Sequence, residues 1–411
     1  MTTVSLDSPL TLKNGAVIKN RFFKSAMSEQ LGDSSHNPVP GLATVYRRWA
    51  EGGVGLNISG NIMVDRTALG EPKNVVLDEQ SDLEGFRRWA SAATANGTHF
   101  WAQLNHPGKQ IPAFLNKEPV GPSAIPLGTG LEKVFNTPRA LTEPEILEVI
   151  GKYVTAAKLA KEAGFTGVQI HGAHGYLVSQ FLSSRHNQRT DQWGGSLENR
   201  MRFVLEIYKG MRAALGDGYP VGIKLNSADF MKGGFTEEES MQVVKALADA
   251  GIDLIEISGG TYENPSMMGS QKNRKESTVR REAYFLAYAE QVRKLVDTPL
   301  VVTGGFRSSV GMQDALSSGA TDMVGLARPF ALVPDLPNRA IQDSDYSYTL
   351  RNLTTGFKTV DRMTGVDLVW YEQQIHLMAD GKDPKPALSP WKAVWATVSG
   401  MGYTALKKRR A

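Results

Sequence analysis

The feature that most constrains this chain is a repeated alternation. Eight short apolar runs are each followed by a stretch of helical spacing. The runs lie at 21–27, 54–62 and 99–104, then Val168-Gln169-Ile170, then 221–225, 253–258, 299–303 and 322–326. They are apolar along their length rather than at every second residue, as in parallel strands buried on both faces. The stretches between them carry helix signals. Thr142-Glu143-Pro144-Glu145 is a capping box, and Ile146, Val149, Ile150, Tyr153, Ala157 and Ala160 follow at amphipathic spacing. Thr236 with Glu239 is a second box, and Ser196 is a good N-cap. Eight such units predict an α/β fold of the closed (β/α)8 TIM-barrel type over residues 1–335. A doubly wound sheet is the main competitor, but no Gly-x-Gly-x-x-Gly follows the first strand.

Residues 336–411 do not continue the alternation and read as a C-terminal helical extension. A helical stretch lies within 360–379; Pro384, Pro386 and Pro390 then break the chain. Trp391, Val394, Trp395 and Val398 form an apolar stripe before the basic end Lys407-Lys408-Arg409-Arg410. The expectation is a tail packed on the barrel or on a second subunit, which leaves a homo-oligomer open. A peripheral membrane contact is the weaker reading of the same stripe. Residues 110–141 lack periodicity and are rich in Pro and Gly, as functional loops often are.

Composition narrows the chemistry. With 41% hydrophobic and 21% charged residues in 411, the chain can bury a large core. The formal charge of +4 includes the four terminal basic residues, and no aromatic-basic platform for nucleic acid is evident. There is no cysteine, which excludes disulfides, thiolate metal sites and cysteine-ligated iron-sulfur clusters. The first twelve residues lack a signal-peptide core, and no run approaches the roughly 20 apolar residues that span a bilayer. A cytoplasmic location is expected.

In barrels of this kind the chemistry sits at the C-terminal ends of the strands. Those ends supply Ala26-Met27-Ser28, Ser59-Gly60-Asn61, Gln103 and His106, then His171, His174 and Tyr176, then Lys224 and Ser258-Gly259-Gly260, and finally Gly304-Gly305 and Ala327-Arg328. Glycines after strand seven and an arginine after strand eight suit a phosphate group. Gln103 can pair with a planar amide-like edge, and Lys224 can counter an anion on the same ring system. Lys224 can equally form a plain salt bridge, with Asp229 as the sequence neighbour. His171 and His174 lie three apart and could bind zinc or iron, although no carboxylate cluster completes such a site. A non-catalytic binding barrel is the remaining reading.

The segment His171-Gly172-Ala173-His174-Gly175-Tyr176-Leu177, with Gln180-Phe181-Leu182 and the run from Asn187-Gln188-Arg189 to Glu198-Asn199-Arg200, resembles the Old Yellow Enzyme family of FMN-dependent oxidoreductases. Asn20-Arg21, Gln103-Leu104, His106-Pro107-Gly108-Lys109 and Gly304-Gly305 resemble it too, so the likeness covers about residues 5 to 335. It implies a barrel holding non-covalent FMN, reduced by NADPH or NADH. Ala26, Met27 and Ser28 would line the flavin near N5 and O4, and Gly60, from its place at the second strand end, is counted with the cofactor residues. Gln103 would bind the pyrimidine edge, and Lys224 would lie near N1 and O2. Gly304, Gly305, Ala327 and Arg328 would hold the phosphate end. His171 and His174 would donate to a substrate carbonyl, and Tyr176 would supply the proton. The implied reaction carries hydride from NAD(P)H through flavin N5 to the β carbon of an α,β-unsaturated carbonyl compound. Many members have Arg where this chain has Lys224, and Thr or Cys where it has Ser28. The family also includes dehydrogenases and demethylases that oxidise amines, so the reverse electron flow is the alternative.

Overall fold

The computed structural model describes residues 4–128, 130–263 and 285–400. The eight runs form β1 (Phe22–Lys24), β2 (Leu56–Met63), β3 (His99–Asn105), β4 (Gly167–Gly172), β5 (Val221–Asn226), β6 (Leu254–Ser258), β7 (Leu300–Thr303) and β8 (Met323–Leu326). They close into one barrel of parallel pairs in which the strand order follows the chain. β1 is shorter than its apolar run. Ala26, Met27 and Ser28 lie beyond the ladder, in the mouth of the barrel. Against β3 the register of β2 shifts between Ile58 and Asn61, a bulge that redirects the strand end facing the mouth.

Helices pack outside the barrel: α1 (Pro40–Glu51), α2 (Leu83–Ala93), α3 (Glu143–Glu162), α4 (Leu177–Leu182), α5 (Leu197–Leu215), α6 (Glu237–Asp249), α7 (Leu286–Arg293) and α8 (Ser309–Ser317). Both capping boxes form, at Thr142 and at Thr236, and Ser196 accepts from the Asn199 amide. A further helix, α9 (Leu336–Gln342), buries Leu336 and Ala340 in the same core as the barrel helices. The outer ring of helices therefore runs past residue 335. The floor of the barrel is a separate apolar plug of Phe23, Leu56, Trp101, Leu254 and Met323. A hairpin of Leu10–Thr11 against Val17–Ile18 covers it from below, with Leu10, Leu12 and Ile18 in the plug. One end is thus closed, and chemistry is confined to the other.

Close packing at the strands has a testable consequence. A Cβ on Gly325 would lie 2.1 Å from Thr303 Oγ1. Gly325→Ala should destabilise the protein by about 1–3 kcal/mol, the usual cost of overpacking, read from urea unfolding. An unchanged midpoint would show that β7 and β8 can move apart.

The extension packs on the barrel's own mouth. It contains α10 (Lys358–Thr364), α11 (Val366–Ala379) and α12 (Pro390–Gly400). α11 lies along α1, where a Cβ on Gly41 would meet Ala379 Cβ at 2.9 Å, and it buries Trp370, Ile375 and Met378 in the main core. On α12, Val394 is buried, while Trp391 and Trp395 are 47% and 74% exposed. Among the described residues no helix is long and apolar enough to cross a membrane. The 110–141 segment is not wholly irregular. Val120–Gly121 pairs with Arg139–Ala140, and a 3-10 turn spans Leu131–Lys133. The side chain of Val398, residues 264–284 and the basic end 407–410 lie outside the described residues.

Candidate active site

β4 ends at Gly172, and a tight turn leads into α4. His174 and Gly175 both adopt left-handed backbone, with φ of 62° and 79°. That turn gathers the three rings picked out in the sequence. His171 stands edge-on to His174 at 5.2 Å and to Tyr176 at 4.8 Å between ring centres. The Ala173 amide donates to His171 Nδ1 at 3.3 Å, so the ring hydrogen resides on Nε2. His174 Nε2 lies 2.8 Å from Ser258 Oγ, and Asn226 Oδ1 accepts from the His174 amide at 3.2 Å. Burial, and then the Lys224 charge, hold both imidazoles well below the usual histidine range. They are neutral donors, not cations.

This has a sign in acid. The unfolded chain binds protons on these histidines below about pH 6.5, and the folded chain does not. Stability should therefore fall as pH drops from 6.5 toward the depressed folded values. The melting temperature measured against pH should show this slope, and it should become shallower in His171→Asn/His174→Asn, the remainder coming from histidines such as His106 and His186 that burial also depresses.

Tyr176 is buried, and its hydroxyl lies 2.8 Å from that of Tyr262, which follows β6. Burial, then Tyr262 and Glu71, push the Tyr176 phenol well above its ordinary value, so it keeps its proton. Tyr262 was not singled out in the sequence. Its only signal was its place four residues past a strand end.

Inside the barrel a chain of buried polar groups links neighbouring strands. Gln103 Nε2 donates to Gln169 Oε1 at 2.8 Å, and Gln169 Nε2 donates to Glu256 Oε2 at 2.9 Å. The other oxygen of Glu256 takes Thr303 Oγ1 at 2.8 Å and Lys224 Nζ at 3.0 Å. The partner of Lys224 is thus Glu256 rather than Asp229. Asp229 instead accepts from Asn226 Nδ2 at 3.2 Å and from the Phe235 amide at 3.0 Å.

A cavity of about 820 Å3 opens at this mouth. Ala26, Met27, Ser28, Gln103 and Lys224 line one side, with His171, His174 and Tyr176 among its other walls. A smaller pocket of about 170 Å3 shares Ala26, His174 and Lys224 with it and runs to Gly304, Gly305, Ala327 and Arg328. Gly304 and Gly305 have φ of 91° and 102°, which suits glycine, and the Gly304 amide donates to the Gly325 carbonyl at 3.0 Å. Arg307 also lines this pocket and was missed in the sequence. Gly60 does not line the large cavity. It is buried beside Glu29, its amide meets Tyr46 Oη at 2.8 Å, and Asn61 forms the wall there instead. The extension supplies further walls through Leu353, Val366 and Leu368. Among the described residues no group of three or more His, Asp or Glu could hold a metal ion.

Residues 5–345 match the family model described as the NADH:flavin oxidoreductase / NADH oxidase family. The NADH-dependent flavin oxidoreductase iliE of Hypocrea jecorina (strain QM6a) is 37% identical over 84% of this chain and 92% of its own length. The chain belongs to this family, that of Old Yellow Enzyme. The relative of the same name from Neonectria sp. (strain DH2) is 39% identical over 83% of this chain, which spans only 47% of that protein. A solved Old Yellow Enzyme homologue from Zymomonas mobilis superposes with a TM-score of 0.72 at 26% identity, over 84% of this chain and 95% of that one.

The family's cofactor is FMN, with NAD(P)H as electron donor. The site fits it. The two pockets share Ala26, His174 and Lys224, so one can take a ring system and the other its phosphate tail. Gln103 would offer an amide to the ring and Lys224 a cation, and Gly305 with Arg328 would meet the phosphate at the far end.

Proposed function

We propose that this oxidoreductase reduces the C=C bond of α,β-unsaturated carbonyl compounds. The observation that carries the reading is the pair of neutral histidines beside a proton-holding tyrosine in one cavity wall. FMN, when bound, relays hydride from the nicotinamide to the acceptor's β carbon. In this proposal Gln103 orients the ring edge, and Lys224 offsets negative charge there. Gly304, Gly305, Ala327 and Arg328 hold the phosphate. His171 and His174 donate to the acceptor carbonyl oxygen, where enolate charge develops, and Tyr176 gives its proton to the α carbon. We take NADH as the donor from the names of the two relatives.

Losing one preorganised donor to an oxyanion typically costs about 10²–10³ in rate. His171→Phe and His174→Phe should each lower kcat/KM for an enone by that order while leaving reduction by NADH intact. Anaerobic mixing with NADH, NADPH and candidate amines separates this reading from amine oxidation. Flavin bleached by the nicotinamide supports the reductase, and flavin bleached only by an amine overturns it.

A further inference from the structure

One group of side chains at the cavity wall has no part in the reaction as described. Ser28 Oγ lies 2.7 Å from each carboxyl oxygen of Glu71 and 2.7 Å from Glu372 Oε1. Glu71 comes from the segment after β2 and faces the cavity with Ser28. Glu372 comes from α11 of the extension and is 2% exposed. Gln30 Nε2 donates to its second oxygen at 3.0 Å, and Asn74 Nδ2 donates to Glu71 at 3.2 Å. Among the described residues no cation acts on either carboxyl, and the charge that Glu372 meets is that of Glu71.

Counting hydrogens decides the state of this group. A serine hydroxyl carries one hydrogen and can satisfy one of the two carboxyls. The other carboxyl must hold a proton and donate it to Ser28 Oγ, because two carboxylates facing one oxygen would repel without compensation. Burial agrees with this count. It pushes Glu372 up to about 8, with Glu71 as the next cause, and it raises Glu71 as well. The titratable neighbours are few. Tyr176 and Tyr262 face the pair from the cavity and hold their protons. Glu29, from the segment after β1, is itself raised to about 7 by burial but has the buried Lys24 as counter-charge.

We propose that Glu71 and Glu372 share one proton across Ser28 and bind a second from solvent when the flavin site is reduced. The inference rests on the proposed function and on the place beside the flavin that the family resemblance implies for Ser28. The charges balance. Hydride from the nicotinamide brings two electrons and one proton, which makes the contents of the cavity more negative by one unit. A solvent proton on the singly protonated pair turns it into two neutral carboxylic acids and cancels that unit. Glu372 is thus a positioning residue that the extension contributes to the active site, and it acts through Ser28.

The test is the midpoint potential of FMN in the holoenzyme, measured by spectroelectrochemistry across about pH 7 to 9. Wild type should take up nearly one more proton per two electrons than Glu372→Gln, with FMN content unchanged. Glu71→Gln should match Glu372→Gln and serves if the first variant folds poorly. Infrared difference spectra, reduced minus oxidised, should gain a protonated-carboxyl band in wild type alone. Equal proton counts in wild type and both variants would overturn the shared proton. Ser28→Ala tests the underlying placement separately. A potential that does not move in that variant would overturn Ser28 as a flavin neighbour.

Discussion

Tyr176→Phe should lower enone turnover by about 10²–10⁴, the usual range for removing a general acid, while reduction of the flavin by NADH stays within about twofold. The change is small in shape. The ring keeps its edge-on contact with His171 at 4.8 Å and loses only the hydroxyl that faces Tyr262 at 2.8 Å. Packing should survive, so a large loss reports on the proton and not on the fold. A phenol raised above its ordinary value is a weak acid in water, but it is well matched to an enolate carbon. Stopped-flow separation of the two half-reactions checks this. Equal slowing of both would remove Tyr176 from the protonation step.

Lys224→Met should be the most destabilising single change at the site. Glu256 is wholly buried, and Lys224 is nearly so. Removing the cation leaves the carboxylate with Gln169 and Thr303 as hydrogen-bond donors and no opposite charge at contact distance. Breaking such a pair from one side costs about 3–5 kcal/mol. Replacing both partners removes the orphaned charge, so Lys224→Met/Glu256→Gln should recover much of that loss in urea unfolding of the FMN-free protein. FMN retention should fall in both, because both lack the cation proposed to offset charge at the ring edge. A Lys224→Met protein as stable as wild type would mean that this ion pair does not stabilise the fold.

Much of the barrel was legible in the chain, for a physical reason. A parallel strand buried on both faces has to be apolar along its length, so the eight runs stood out without any alignment. The strand-end residues were legible for the same reason: once strands are counted, their ends are known. Nearness in sequence offers Asp229 as the alternative partner of Lys224, but the structure pairs it elsewhere. Glu256 is its direct register partner on the neighbouring strand. A signal for it existed, since Glu256 is the one carboxylate inside the apolar stretch Leu254-Ile255-Glu256-Ile257. Gly60 was assigned to the cofactor by its place at a strand end, but the bulge in β2 turns Asn61 toward the cavity instead. The role of the extension was not legible. Glu372 reaches Ser28 through contacts more than three hundred residues apart, and no periodicity encodes such a meeting. Glu71 and Tyr262 escaped for a related reason, since they lie in segments without regular spacing.

In the proposed cycle nicotinamide and enone meet the same FMN in turn, with His171, His174 and Tyr176 serving the second. The most direct measurement is an anaerobic stopped-flow titration of the purified holoenzyme, first with NADH and then with a panel of enones. NADH should bleach the oxidised-flavin absorbance, and an enone should restore it with formation of the saturated carbonyl product. A flavin that NADH does not bleach, or a reduced flavin that no enone reoxidises, would contradict the proposed cycle.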